Sequence, residues 1–495
     1  MHRTLAIAVS TLALFVAGGA AASPQSEILT SQGLVEFHAH HYDQAIALFD
    51  QAIDADPIDV YARHYRGVTY ARRDADLLDR LWADIDLRVV LLLQPDLHQA
   101  ALELGIVLIK MERCADAVPF LKQARRDPTL ESQASFFLGF AKLHMGEPAA
   151  AAPHLQRAAQ DEALRIAAHY YEGVAAYRRR DWPTASDRFA EVAAAHADST
   201  LGEQAARFVR DLRAYQLFGT LGFEYDSNVV LAPSNDVLKA VSGISRQADG
   251  RVTIDVGGAY VPWRNRYAEL SLGYEFFQGL QFQLTDFNLQ DHRASAQLVI
   301  YANAVQLGIL GQYDYYFLKD NSFLQEATGE PWLAVPEGDI GRTEVFYRMR
   351  RRDFLERPFS GVRDAFNHAP GVRQFLYLGE PDRYVTVGYR FDREDVINRA
   401  GNAFAYDGQE AEGGVGWEFP AAISVQVSYV YRYEGYAPAS NGRHDDDHRV
   451  VAAIRKQLTS TLAVSCGYYG TLNDSSDPRF QYRRHVGSVT FDVRL

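Results

Sequence analysis

The sequence predicts a multidomain α + β protein, with an N-terminal α-solenoid followed by a C-terminal antiparallel transmembrane β-barrel of about 14 strands. Before about residue 215, the apolar residues recur at helical spacing inside a repeat of 34 residues. After that point, apolar and polar residues alternate one by one, which is the period of a β-strand. The chain also begins with a stretch that is typical of a secretion signal. These observations predict one part in water and another in a membrane.

Residues 1–22 are predicted to be a signal peptide. Arg3 supplies a positive start, residues 5–16 are apolar, and residues 20–22 are the small alanines that a signal peptidase needs. Cleavage is expected before Ser23. No other segment has the roughly 18 consecutive apolar residues of a membrane-spanning helix.

Composition limits the function classes. The net charge of −13 argues against a nucleic-acid partner. The 28 tyrosines and 27 phenylalanines are typical of the aromatic girdles of membrane barrels. Cys114 and Cys466 lie in different halves of the chain, so neither a disulfide between them nor a thiol metal site is expected.

Five glycines mark the helical repeat of the segment 23–215. Their spacings are 34, 38, 34 and 34 residues, at Gly33, Gly67, Gly105, Gly139 and Gly173. An alanine follows twelve residues after four of these glycines, and a large apolar residue comes four residues later. In the second repeat, a four-residue insertion moves this pattern to Ala83, Leu87 and Val90.

This pattern is that of tetratricopeptide repeats, with two antiparallel helices in each repeat. Small residues are needed where the two helices touch, and the large residues are expected to fill the space between repeats. A last helical stretch, residues 202–217, is expected to cap the array. The repeats are predicted over about residues 26–199.

Tetratricopeptide arrays present a groove, and its predicted lining here is apolar and aromatic. Such a groove favours an extended or amphipathic polypeptide as its guest. The alternative is that these side chains pack against a neighbouring helix. The residues predicted to line the cargo groove are Leu34, Phe37, Leu102, Ile106, Phe136, Phe140, Tyr170 and Tyr177.

The segment 216–495 is predicted to be an outer-membrane β-barrel. Val425, Val427 and Tyr429 share one face of a strand, whereas Ser424 and Ser428 share the other. Six short turns alternate with seven longer connections, including one at residues 319–322, which predicts 14 strands. Because short turns of such barrels face the periplasm, both barrel ends and the repeats are expected on that side.

Charged residues on the polar face of the strands are predicted to line the barrel lumen. They could tune the passage of a solute or form an ion-pair lattice that stiffens the barrel, and both readings stay open. These predicted lumen residues are Arg348, Arg350, Arg390, Asp392, Arg432 and Glu434.

No sequence motif predicts an enzyme, a cofactor or a metal centre. The best metal candidate is the cluster 444–448, His-Asp-Asp-Asp-His. It falls in a predicted external loop, and we expect it to be a solvated acidic loop tip.

The order of the two parts resembles two groups of outer-membrane proteins, the surface lipoprotein assembly modifiers (Slam proteins) and the exopolysaccharide export porins. Four short stretches are similar to Slam-type chains: GFEYDSNV at 222–229, FLQE at 323–326, RRDF at 351–354 and RQFLYLG at 373–379. The 14-strand count also suits the Slam group.

The Slam resemblance implies a factor that translocates or displays a polypeptide or lipoprotein client. The repeat groove would capture the client and pass it to the barrel. Outer-membrane lipids and the barrel assembly machinery are the other partners implied, in a Gram-negative bacterium. The alternative is an exopolysaccharide export porin with a periplasmic tetratricopeptide arm.

Overall fold

The computed structural model describes residues 23–234, 247–302, 304–357 and 359–495, so the predicted signal peptide lies outside the described residues. The chain divides into two compact units between Val209 and Arg210. The secondary structure changes from helix to strand between Asp211 and Tyr215.

The first unit consists of paired α-helices. In the described residues before the first strand there are eleven helices, and ten of them form five consecutive pairs. They are α1 Pro24–His38, α2 Tyr42–Ala55, α3 Val60–Arg73, α4 Leu77–Leu93, α5 His98–Lys110, α6 Cys114–Ala124, α7 Glu131–His144, α8 Pro148–Ala158, α9 Arg165–Arg178, α10 Trp182–Ala195 and α11 Thr200–Asp211. None of these helices has the length and apolar character that a membrane crossing requires.

The repeat glycines make room for the large side chains of the partner helix. A Cβ added at Gly105 would lie 2.4 Å from Cδ2 of Leu121, and one at Gly173 would lie 2.8 Å from Cε1 of Phe189. Leu121 and Phe189 are fully buried. The large residues therefore pack against the glycine of their own repeat. Leu87 and Leu121 also belong to one buried cluster that spans consecutive repeats, in agreement with the prediction that the large residues fill the space between repeats.

The insertion in the second repeat has the predicted effect. Gly67 faces Leu87, four residues later than the regular spacing would place its partner. Ala83, Leu87 and Val90 are all fully buried.

The last helix, α11, covers the end of the array. The ring of its Phe208 stacks on Phe189, with centroids 4.3 Å apart and planes 6° apart. This helix ends at Asp211, short of the predicted residue 217. The reason is that Tyr215 already pairs with Tyr260 in a strand.

The second unit is a closed antiparallel barrel of fourteen strands, in which each strand pairs with its sequence neighbours and β1 pairs with β14. The first seven strands are β1 Tyr215–Asp226, β2 Asp249–Arg264, β3 Ala268–Gln281, β4 Leu289–Ala302, β5 Val305–Leu318, β6 Asn321–Pro336 and β7 Gly341–Phe354. The others are β8 Ala365–Leu378, β9 Glu380–Val396, β10 Tyr406–Phe419, β11 Ile423–Tyr436, β12 His444–Gln457, β13 Leu462–Ser475 and β14 Tyr482–Arg494.

The connections are short at one end of the barrel and mostly longer at the other. We call these the short-turn end and the loop end. The start of β1 and the end of β14 meet at the short-turn end, where the Leu495 N–H donates to the Leu217 carbonyl oxygen at 2.9 Å. One prediction was wrong at the loop end, because Lys319 and Asp320 alone connect β5 to β6. Both have positive φ angles, 48° and 65°, which suit a tight two-residue hairpin turn.

The two faces of the barrel wall differ in polarity. Val387, Val427 and Tyr429 point outward and are exposed by 57%, 46% and 46%. Cys466 of β13 is also exposed. The alternate residues point inward, where the buried side chains include Asp314 and Asp392. An apolar outer wall around a charged interior is the inverse of a water-soluble sandwich.

Candidate functional site

An aromatic patch lies on the helices of the fourth and fifth repeats. Phe136, Phe140 and His144 belong to α7, and Tyr171 belongs to α9. The Phe140 ring centroid lies 5.0 Å from that of Tyr171 and 4.3 Å from that of His144, and Phe136 lies 5.8 Å from Tyr171. All but His144 are only half-buried.

The repeat pattern positions this patch. Gly139 and Gly173 bring each first helix close to the second helix of its own repeat. Phe136 and Phe140 of α7 contact Tyr171 of α9 directly, so these positions share one surface. Phe136 and Tyr171 also pack on a core that contains Leu143 and Leu155. The patch therefore has a rigid base and partly exposed ring surfaces.

Two of the predicted groove residues, Leu102 and Tyr170, are buried and do not line a groove. Leu102 is fully buried, in a core cluster with Leu104, Leu108 and Leu121. Tyr170 is 8% exposed, and its hydroxyl donates to Oε1 of Gln204 at 3.0 Å. Packing between consecutive helices covers both side chains.

The other predicted groove residues keep some exposed surface. Leu34, Phe37 and Ile106 are half-buried, and Phe37 and Ile106 also pack against the main core. Tyr177 is 37% exposed, with its ring 5.2 Å from Phe208 of the capping helix. Phe136 and Phe140 are the predicted residues that share one partly exposed cluster with Tyr171.

Sequence reasoning missed Tyr171 and His144. Tyr171 is adjacent to the predicted Tyr170. An error of one residue in the helical phase therefore selected the buried ring of Tyr170 instead of the partly exposed ring of Tyr171. His144 follows Phe140 by four residues, a spacing that places both side chains on the same face of a helix and would have predicted this contact. Burial raises the pKa of the Tyr171 phenol, so this ring remains uncharged at neutral pH.

A lattice of ion pairs lines the inner wall between β6 and β11 and contains all six predicted lumen residues. Asp392 accepts from Arg432 at 2.9 Å, and Arg432 also pairs with Glu434 at 2.7 Å. Arg390 pairs with Glu410 at 3.0 Å. The lumen lattice, as we name it, consists of Glu326, Glu330, Arg348, Arg350, Arg352, Asn367, Arg390, Asp392, Glu394, Tyr406, Glu410, Arg432 and Glu434.

The lattice connects strands that are not neighbours. Arg352 of β7 bridges Glu326 of β6, at 3.0 Å, and Glu394 of β9, at 2.7 Å. Asn367 of β8 donates to Asp392 of β9 at 2.6 Å. Since opposite charges alternate and Asp392 is only 3% exposed, removing one member would leave a buried charge uncompensated.

The acidic cluster 444–448 is a strand and not a loop tip, so the expectation of a solvated loop is wrong. These residues begin β12, and the alternation of the strand sends Asp445 and Asp447 inward. Asp446 and His448 point outward and contact the hydroxyls of Tyr431 and Tyr429. In the ranges that the structure describes, no group of three or more histidine, cysteine, aspartate or glutamate side chains is placed to hold a metal ion.

Comparison with known proteins leaves the family of the chain open. No family model matches it, and no curated protein matches it. Solved structures resemble its helical part. MamA from Desulfovibrio magneticus RS-1 is 19% identical, with a TM-score of 0.33, and the match covers 36% of this chain and 99% of that chain.

Two further structures match to a similar degree. YrrB, described as a TPR protein with an unusual peptide-binding site, is 19% identical with a TM-score of 0.34, covering 38% of this chain and 92% of that chain. PilW, described as a widely conserved type IV pilus biogenesis factor, is 20% identical with a TM-score of 0.34, covering 38% and 87%. These likenesses concern the helical fold alone.

Proposed function

We propose that this protein is an outer-membrane factor that translocates or displays a polypeptide or lipoprotein client, as the Slam proteins do. The observation that carries the proposal is the aromatic patch of α7 and α9. The repeats capture the client there, and the barrel receives it. The role is one of transport, without catalysis of a chemical reaction.

The chemistry of the patch favours an apolar polypeptide segment as the client. Phe136, Phe140 and Tyr171 offer ring surface, and the phenol of Tyr171 is uncharged at neutral pH. Burying such rings against leucine, phenylalanine or acyl chains removes apolar surface from water. An unfolded or lipidated client carries such groups exposed, and an extended or helical segment could lie across the two helices.

The outer wall of the barrel supports its placement in a membrane. Exposed residues such as Val387, Val427 and Ile454 would be costly in water, and an outer-membrane barrel places such residues against lipid. The short-turn end faces the periplasm in barrels of this kind. Because β1 begins at that end, the proposal places the repeats in the periplasm.

The charges of the lumen lattice affect which kind of polymer the barrel could pass. Its arginines and carboxylates are paired, so they do not present one sign of charge to a passing polymer. Sugars also stack on aromatic rings, however, and export of an exopolysaccharide is the competing function.

Deletion of the gene tests the proposal against this competitor. Surface lipoproteins are measured by protease shaving of intact cells, and capsule or biofilm polysaccharide is measured in the same cultures. We expect some lipoprotein to become protected from protease while the polysaccharide stays constant. Unchanged exposure of every lipoprotein would contradict the proposal, and loss of polysaccharide would favour the export porin.

The Phe140→Asp variant links the effect to the patch. A charge at this position should reduce client display as strongly as deletion does. Leu92→Asp is the matched control, since Leu92 is exposed by 66% on α4, away from the aromatic patch. Equal display with both variants would show that the patch is not the capture surface.

A further inference from the structure

Six hairpins of the barrel carry the same hydrogen-bonded pair on their outer face. In each, a tyrosine hydroxyl contacts a histidine or glutamine of the next strand, at distances of 2.7–3.1 Å. We call these pairs the belt. They are Tyr274–His292, Tyr313–Gln325, Tyr347–His368, Tyr389–Gln409, Tyr429–His448 and Tyr468–His485.

The register of the six pairs is identical. Each tyrosine lies directly opposite a residue that is small, proline or valine, and it bonds the side chain two residues further toward the loop end. Tyr274 faces Ala294, for example, and bonds His292, while Tyr468 faces Gly487 and bonds His485. A compact opposing residue lets the ring cross diagonally to its partner. Six repetitions of one geometry on strands far apart in sequence indicate a shared environment around the wall.

The belt lies where the outer wall changes from apolar to polar. Two residues beyond the histidine or glutamine, toward the loop end, the outward residues of four hairpins are Gln290, Asp407, Asp446 and Arg483. Toward the short-turn end, the outward residues are apolar, as at Ala452 and Ile454 of β12. One step of two residues along a tilted strand changes the depth by roughly 5 Å. The belt therefore lies a few ångströms inside the polar edge.

Each pair leaves at least one hydrogen-bond donor for a third group. If the tyrosine hydroxyl donates to Nδ1, the neutral imidazole carries its proton on Nε2. If Nδ1 donates instead, the tyrosine hydroxyl retains its own proton. In the two glutamine pairs, the amide nitrogen supplies the spare donors. The belt tyrosines are exposed by 37–52%, and the belt histidines and glutamines are half-buried or exposed, so these donors are accessible from outside the barrel.

We propose that the belt binds the acyl-ester oxygens of the lipid leaflet at the loop end. Ester carbonyls accept hydrogen bonds but cannot donate them, which complements a ring of spare donors. They lie between the headgroups and the hydrocarbon, the depth that the change in polarity assigns to the belt. The contact fixes the height of the barrel in the bilayer. This inference rests on the membrane placement proposed above.

Matched ester and ether lipids test the belt. The full-length protein is folded into vesicles of diester phosphatidylcholine and into vesicles of the diether analogue, which lacks ester carbonyls. Urea unfolding should show an unfolding equilibrium constant about tenfold or more higher in the ether vesicles. A triple variant that replaces both members of three pairs (Tyr347→Phe/His368→Leu, Tyr429→Phe/His448→Leu and Tyr468→Phe/His485→Leu) should lose about half of this difference, because three of the six pairs remain. The single variant His448→Gln should keep the difference, since glutamine is native at two belt positions.

The outcomes separate the belt from the membrane placement. Equal stability of the wild type in both lipids overturns the belt proposal, even if the triple variant does not fold. Cys466 reports the placement, since it points outward next to the belt on β13. In a Cys114→Ser background, a membrane-impermeant maleimide should leave Cys466 unmodified in vesicles. Full labelling would contradict the membrane placement itself.

Discussion

Substitution of one outward valine by arginine measures whether lipid covers the barrel wall. Val427 of β11 pairs directly with Ala452 of β12. On β12, the nearest outward charged residues are Lys456, four residues toward the short-turn end, and Asp446, six residues toward the loop end. Val427 thus lies well inside an apolar window.

The magnitude follows from this geometry. With a rise of about 3.4 Å per residue and a strand tilt near 40°, Val427 lies about 10 Å from the level of Lys456 and about 16 Å from that of Asp446. This depth is close to the middle of the hydrocarbon layer. Val427→Arg should therefore lower the free energy of unfolding by about 2–4 kcal/mol.

Urea unfolding in phospholipid vesicles, followed by circular dichroism in the β-sheet region, is the assay. Ser428→Arg is the matched control, because Ser428 is the adjacent residue and points into the lumen. Its cost should be much smaller. Equal costs for the two variants, or a cost for Val427→Arg below about 0.5 kcal/mol, would refute the assignment of this face to lipid.

Three further predictions concern the packing and the charges. Gly105→Ala should destabilise the repeats by about 1–3 kcal/mol because the added Cβ meets Leu121. In a double-mutant cycle, the double variant Gly105→Ala/Leu121→Ala should lose less unfolding free energy than the sum of the two single losses. Asp392→Ala should cost about 3 kcal/mol in vesicle unfolding because it breaks a buried pair, whereas Asp395→Ala, at an exposed pair, should cost less than about 1 kcal/mol. Burial lowers the pKa of His64 to about 4, below its ordinary value of 6.5. Because the unfolded chain then binds the proton more readily than the folded chain, the free energy of unfolding of the repeats should fall by up to about 3 kcal/mol as the pH drops from 6.5 to 4. His64→Phe should flatten this dependence of the helical circular dichroism signal, and an unchanged slope would contradict it.

Much of the fold could be predicted because the sequence shows two clear periods, the repeat of 34 residues in the helical part and the alternation of apolar and polar residues in the strands. The glycine spacing predicted the helix pairs, and the alternation with turn residues predicted fourteen strands. The connection at residues 319–322 was predicted to be too long because the Lys319-Asp320 pair lacks the glycine that usually marks a two-residue hairpin turn. The cluster 444–448 was assigned to a loop because its polarity hid the alternation of β12.

The sites were harder to predict because they depend on contacts distant in sequence. Whether Leu102 or Tyr170 is buried depends on the neighbouring helices. The partners of Asp392 in the lumen lattice depend on the register of strands up to β11. The belt repeats at intervals that vary with loop length, so a search for one fixed sequence period does not reveal it. Aligning the even-numbered strands on a compact residue two places after histidine or glutamine would have found it.

A photo-crosslinking amino acid at position 140 tests the central claim, that the aromatic patch captures a polypeptide client. It is introduced into the full-length protein in living cells, with position 92 on α4 as the matched control site. We expect adducts at position 140, and not at 92, with a protein whose surface exposure is lost when the gene is deleted. Adducts of equal yield at both positions, or none at 140 while surface display still depends on the gene, would contradict the claim.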